Sequence, residues 1–88
     1  MFDAHESQIE TSKALIAKFG GPAKVAEICD RTVSRVRRWT YPAERGGSDG
    51  IIPADCQLTL LAHARATDLP VTPADFFPPE LVDGEDAA

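Results

Sequence analysis

Long apolar runs are missing from this sequence of 88 residues. A membrane-spanning helix needs about 18 or more consecutive apolar residues, and no stretch approaches that length. The first ten residues, MFDAHESQIE, are acidic and polar, unlike the basic and apolar start of a secretory signal. We therefore expect a cytoplasmic protein with no membrane partner.

Cysteine and histidine are scarce, with two residues of each type. Cys29 and Cys56 form no CxxC motif, and neither His5 nor His63 stands at metal-ligand spacing from them, which argues against a zinc site. A disulfide between the two cysteines is one interpretation, but a cytosolic chain favours a reduced, buried pair. We expect no metal and no cofactor.

The sequence also lacks the features of a catalytic site. No nucleophile stands at a recognisable spacing from a base, and the GGSDG run at 46–50 lacks the strand and helix context of a phosphate-binding loop. A chain of this size makes one small domain that buries roughly 60–65% of its surface, which leaves little room for a deep cavity. We expect that the protein is not an enzyme.

The net charge of −5 argues at first against a nucleic-acid partner, but the charge is unevenly distributed. Residues 22–45 carry six basic and three acidic side chains, a net charge of +3. A polyanion responds to the field within a Debye length of about 8–10 Å, so this basic centre matters more than the total.

Apolar spacing predicts four to five short helices and no convincing strand, which indicates an all-α fold. The first helix is expected over about 8–19, with Ser7 and Glu10 as a capping box at its start and Gly20 at its end. The second is expected over about 22–29, because a proline suits its first position.

The third predicted helix covers about 33–40 and is capped by the hydroxyl of Thr32. It ends before Pro42, because the residue before a proline is pushed out of helical geometry. The glycine-rich stretch 43–50 then predicts a loop.

A fourth helix is expected over about 53–67. Its period is marked by Leu58, Leu61, Ala62 and Arg65. A fifth, short helix or turn follows from Thr72 to Phe77, with Phe76 and Phe77 packed on the core. The predicted domain therefore covers 7–77, and the acidic segment 78–88 is expected to be a disordered tail.

The second and third helices have the pattern of a helix-turn-helix. Ala26 is the small residue where the helices cross, and Val36 and Trp39 anchor the third helix. At about 100° per residue, these anchors place Ser34, Arg37 and Arg38 on the opposite, free face of that helix. Two further positions lie near this face. Val33 is at the border of the core, and Arg35 is at the edge of the core, where it suits contact with a phosphate.

Arginine on such a face fits the chemistry of DNA recognition, because its planar fork matches the O6 and N7 atoms of guanine. An exposed arginine face by itself is more typical of a solvated surface. The combination with a short helix pair and buried anchors favours double-stranded DNA as the partner.

The segment GGPAKVAEICDRTVSRVRRWTYP, residues 20–42, resembles the Cro/CI-type helix-turn-helix regulators of phages and bacteria, among them the small Cro-like and YdaS-like proteins. The resemblance implies a lambda-repressor-like domain and DNA contacts from Thr32, Val33, Ser34, Arg37 and Arg38. The turn departs from the family pattern, with Asp30 in place of the usual glycine and Arg31 in place of an apolar residue.

The same resemblance implies a sequence-specific transcriptional regulator that binds DNA as a homodimer. Candidates for the dimer surface are Leu69, Val71, Phe76 and Phe77, although core packing is favoured for both phenylalanines. Arg45 and the backbone N–H groups of the loop 44–50 are further candidates for phosphate contact, beside a plain flexible connection. The alternative is a protein-interaction module, such as an antitoxin or an RNA-polymerase-binding factor.

Overall fold

The computed structural model describes residues 4–78, and within that range the chain is all-helical with no strand. The four α-helices are α1 (Ala4–Lys18), α2 (Pro22–Cys29), α3 (Val33–Trp39) and α4 (Ala54–Ala66). Two short 3₁₀ helices, Ala43–Arg45 and Pro73–Phe76, precede and follow α4. No helix in this range combines the length and the apolar character needed to cross a membrane.

Helix α2 lies at the centre of the fold and packs against α1, α3 and α4. One buried cluster joins the four α-helices to the second 3₁₀ helix. Its apolar members are Leu15, Ile16, Phe19, Val25, Ala26, Cys29, Val36, Trp39, Ile52, Cys56, Leu60, Ala64 and Phe76. The predicted all-α fold is confirmed.

Helix α1 begins earlier than predicted. It already includes Ala4, so Ser7 lies inside the helix and the predicted capping box of Ser7 and Glu10 is wrong. Alanine and glutamate before Ser7 favour helix, which explains the longer start. The helix ends at Lys18, one residue before the predicted limit. The predicted role of Gly20 is confirmed: it has a φ of +107°, and the N–H groups of Gly20 and Gly21 donate to carbonyls in the last turn of α1.

The bounds of α2 match the prediction, and α3 ends one residue before the predicted limit. Asp30 ends α2 in the left-handed conformation, with φ +57°, a geometry that a short polar side chain tolerates. Thr32 caps α3 as predicted, because its Oγ1 accepts a hydrogen bond from the N–H of Arg35 at 3.2 Å.

Helix α4 is rotated relative to the prediction. Leu58, predicted to mark its inner period, is 70% exposed, and the buried residues are instead Cys56, Leu60 and Ala64. Leucines on two sides of the helix make both rotations compatible with the sequence, and packing against α2 selects one. The prediction for Phe77 is also wrong, since Phe76 is buried but Phe77 is 42% exposed.

The C-terminal end of the described range is held by a buried polar side chain. The Nε2 atom of Gln8 donates to the carbonyl oxygens of Gly50 and Phe76, at 3.2 and 2.8 Å, and to Ser12 Oγ. Ser12 Oγ also donates to Gly50 O. Gln8 therefore joins α1 to the loop before α4 and to the second 3₁₀ helix. Pro78, placed in the tail by the sequence, is buried, and the rest of that predicted tail lies outside the described residues.

The two cysteines are both free and buried, one on α2 and one on α4. Cys29 Sγ lies 4.0 Å from the carbonyl oxygen of Cys56. Burial raises the pKa of the Cys29 thiol to about 12 and also raises the pKa of Cys56. Both thiols are therefore protonated at neutral pH, which makes them poor nucleophiles.

We expect the folded protein to react with an aromatic disulfide reagent at pH 8 at least about a hundredfold more slowly than an exposed thiol. In urea both thiols should react at once. Rapid labelling of two thiols without denaturant would contradict the burial of this pair.

The raised pKa of Cys29 also makes the stability of the fold depend on pH. The neutral thiols contribute stability below the unfolded-state pKa of about 8.5, and that contribution should fall as the pH rises toward 12.

Candidate nucleic-acid interface

The face of α3 toward α2 is apolar and closed. Val36 is fully buried and Trp39 is 5% exposed, and both belong to the same cluster as Val25 and Ala26 of α2. Because these anchors are three residues apart, they lie on one side of the helix and fix its rotation. The predicted inward face of α3 is confirmed.

The opposite face of α3 is basic and open. Ser34, Arg35, Arg37 and Arg38 are all exposed. None of these three arginines forms an ion pair with another residue in the described range. Three guanidinium groups therefore face solvent from one seven-residue helix, each with its donors available to a ligand.

Thr32 and Val33, at the start of α3, already have structural roles. The hydroxyl oxygen of Thr32 caps the helix, although the residue remains exposed. Val33 is half-buried and packs against the core cluster. The structure therefore places both predicted contacts at the edge of the basic face, with Val33 directed partly inward.

Arg31, in the turn, is engaged within the chain. Its guanidinium forms an ion pair with Asp55 of α4 and donates to the carbonyl oxygen of Cys29 at 3.0 Å. The turn is thus held against α4 by a polar side chain at the position where the resembled family has an apolar residue. The sequence showed the departure at this position but not its partner, because Asp55 is 24 residues away.

Most backbone N–H groups of the loop after α3 are paired within the chain. The N–H groups of residues 45–51 all donate to carbonyl oxygens within the chain, and the N–H of Ala43 donates to the Asp49 side chain. These pairings occupy the N–H groups of six of the seven residues in the predicted loop 44–50, so phosphate contact from the backbone stays a prediction for Glu44 alone. Folding satisfies these donors because a compact turn pairs its own polar groups. The exposed side chain of Arg45, at the end of the first 3₁₀ helix, remains as a candidate.

Lys13 of α1 is a basic neighbour of this face that the sequence did not identify. Lys13 and Arg37 border the same cavity of about 150 Å³, beside Gly21 and Pro22 at the start of α2. Lys13 also forms an exposed ion pair with Glu10, at 3.6 Å. The proximity of Lys13 to α3 depends on how α1 packs. The spacing of residues along α1 carries no information about that packing.

On the other side of α3 the structure forms an open groove of about 380 Å³. Arg35 and Arg38 line one side of it, and the loop residues 46–48 line another. Trp39, Ile51 and Pro53 add apolar surface. This basic and apolar groove joins the exposed face of α3 to the loop before α4.

Comparison with protein-family models, with curated proteins and with solved structures gives no match. The resemblance to Cro/CI-type regulators therefore stays a prediction from residues 20–42. A functional assignment depends on the geometry of α2, α3 and their surroundings.

Proposed function

We propose that the protein is a sequence-specific, double-stranded-DNA-binding transcriptional regulator of the cytoplasm that inserts α3 into the major groove. The observation that carries this proposal is the free guanidinium face of α3, opposite the buried Val36 and Trp39. These three arginines have no carboxylate partner within the described residues. Their N–H donors are therefore available to bases and phosphates.

Each side chain on this face has a defined task in the proposed complex. Arg37 and Arg38 bind base edges, since a bidentate contact with guanine O6 and N7 is the commonest specific one. Ser34 is short, so it allows the helix to approach the bases closely. Arg35 and Arg45, at the edges, bind phosphate and fix the register of the protein on the duplex.

A single copy presents one recognition helix, so two copies would read paired half-sites about 34 Å apart, one helical turn. We propose a homodimer on this ground. Among the predicted dimer residues, Phe76 is buried, and Leu69 and Val71 pack on the core. Phe77 is the exposed member of that set and is the remaining candidate for a contact between copies.

The test begins with selection of bound fragments from a random duplex library, followed by affinity measurements on the selected site. We expect Arg37→Ala and Arg38→Ala each to weaken specific binding by about 1–3 kcal/mol, roughly 5- to 150-fold, because each removes a bidentate base contact. Arg65→Ala is the matched control, since it removes an equal charge from an exposed site on α4 and should change the affinity less than about twofold.

The salt dependence separates DNA binding from the alternative. Binding through several phosphates must weaken steeply as the salt concentration rises. If the purified protein binds no duplex at low salt, or if Arg65→Ala matches Arg38→Ala, the proposal is wrong. The alternative of a protein-interaction module, such as an antitoxin or an RNA-polymerase-binding factor, would then take its place.

A further inference from the structure

The groove beside α3 combines two chemistries on one surface. Arg35 and Arg38 give it positive charge, and half-exposed Ile51, Pro53 and the edge of Trp39 give it apolar surface. Contact with DNA phosphates does not account for the apolar part, because the phosphate backbone is recognised by charge and hydrogen bonds. The groove fits a short acidic segment that also carries aliphatic side chains.

The last described residues lie close to the residue that precedes Ile51 of this groove. Gly50 O and Phe76 O accept hydrogen bonds from the same Gln8 nitrogen, so they lie close together. Gly50 directly precedes Ile51 of the groove, and the described chain ends with buried Pro78, two residues after Phe76. The segment after residue 78 therefore starts near Ile51, which lines the groove.

The following segment, residues 79–88, has the complementary composition. It reads PELVDGEDAA and carries four carboxylates with no basic residue. Leu81 and Val82 stand together between Glu80 and Asp83. An extended chain covers about 3.3–3.6 Å per residue, so Leu81 can lie up to about 10 Å from Pro78.

We propose that this C-terminal segment docks in the groove of its own chain, with Leu81 and Val82 against Ile51 and Trp39. The flanking carboxylates then face Arg35 and Arg38. This inference rests on the proposed function, and its consequence is autoinhibition, because the tail and DNA compete for the same two guanidinium groups. The closed form, with the tail docked, does not bind DNA, and the open form, with the tail undocked, does.

The test uses the full chain with L81S/V82S, which removes the aliphatic contact without any change of charge. The matched control is A87S/A88S, which makes two equally neutral changes at the far end of the tail. We expect L81S/V82S to shift the NMR signals of the Trp39 indole and the Ile51 methyl groups, and A87S/A88S to leave them in place. If the closed form holds about 90% of the molecules, L81S/V82S should tighten DNA binding about tenfold.

The outcomes are separable from those of the proposed function. Shifted Trp39 and Ile51 signals with no DNA binding in any variant would support the docked tail and refute DNA binding. Tight DNA binding with unchanged signals and affinity in L81S/V82S would overturn the docked tail alone. A difference between wild type and L81S/V82S that disappears on dilution would place the tail in a second copy and overturn the intramolecular contact.

Discussion

Replacing Trp39 by alanine is expected to destabilise the protein by about 3–5 kcal/mol, the usual cost of losing a large core aromatic. Trp39 is 5% exposed and joins α3 to the central cluster. Small domains have a total stability of about 5–15 kcal/mol, so this loss removes a substantial part of it. The loss of unfolding free energy is measured by urea denaturation monitored by circular dichroism at 222 nm. Fluorescence is not suitable, because the protein has one tryptophan and the variant loses that signal.

Arg38→Ala, one residue away, is the control for this experiment. Arg38 is exposed and has no ion-pair partner among the residues described, so its removal should change the stability by less than about 0.5 kcal/mol. If Trp39→Ala does not fold, Trp39→Phe should give an intermediate loss. Equal urea midpoints for the tryptophan and arginine variants would contradict the rotation of α3.

Local signals were enough to predict the helix-turn-helix segment. The proline at the start of α2 and the cap at Thr32 both act over three or four residues, and the structure has each in its predicted place. The rotation of α3 was also predictable, because Val36 and Trp39 are its large apolar residues apart from the half-buried Val33 at its start. Periodicity leaves one side for the core in such a helix.

Features that depend on distant contacts were not predictable. Helix α4 carries leucines on more than one side, so the choice between Leu58 and Leu60 depends on its neighbours. Phe76 and Phe77 are equally apolar, and the turn of the second 3₁₀ helix decides which is buried. Buried Gln8 gave no sequence signal, because its partners lie 42 and 68 residues away.

The same division applies to the candidate site. The free face of α3, with Ser34, Arg37 and Arg38, follows from one helix and was predicted from it. The groove involves α3, the loop 46–48 and Ile51, and the cavity at Lys13 involves three helices. Residue spacing gives information about one element at a time. Neither the groove nor the cavity could therefore be predicted without knowing how the elements pack together.

Gly50→Ala is expected to destabilise the fold by about 3 kcal/mol or more, because a Cβ at this position has no room. It would lie 2.6 Å from the backbone carbon of Gln8 and the nitrogen of Ile9, and a helix backbone cannot give way as a flexible side chain can. Moving the loop away from α1 would also break the hydrogen bonds that Gln8 and Ser12 donate to Gly50 O.

Gly46→Ala separates this steric effect from backbone strain. Gly46 has nearly the same left-handed φ, +82° against +86° at Gly50, but a Cβ there would meet nothing within 4 Å. Its cost should be the strain alone, about 1–2 kcal/mol. The difference between the two urea midpoints therefore measures the contact between the loop and α1. Equal midpoints would mean that Gly50 does not press against α1, and that the loop beside the groove is held by its own turn rather than by the first helix.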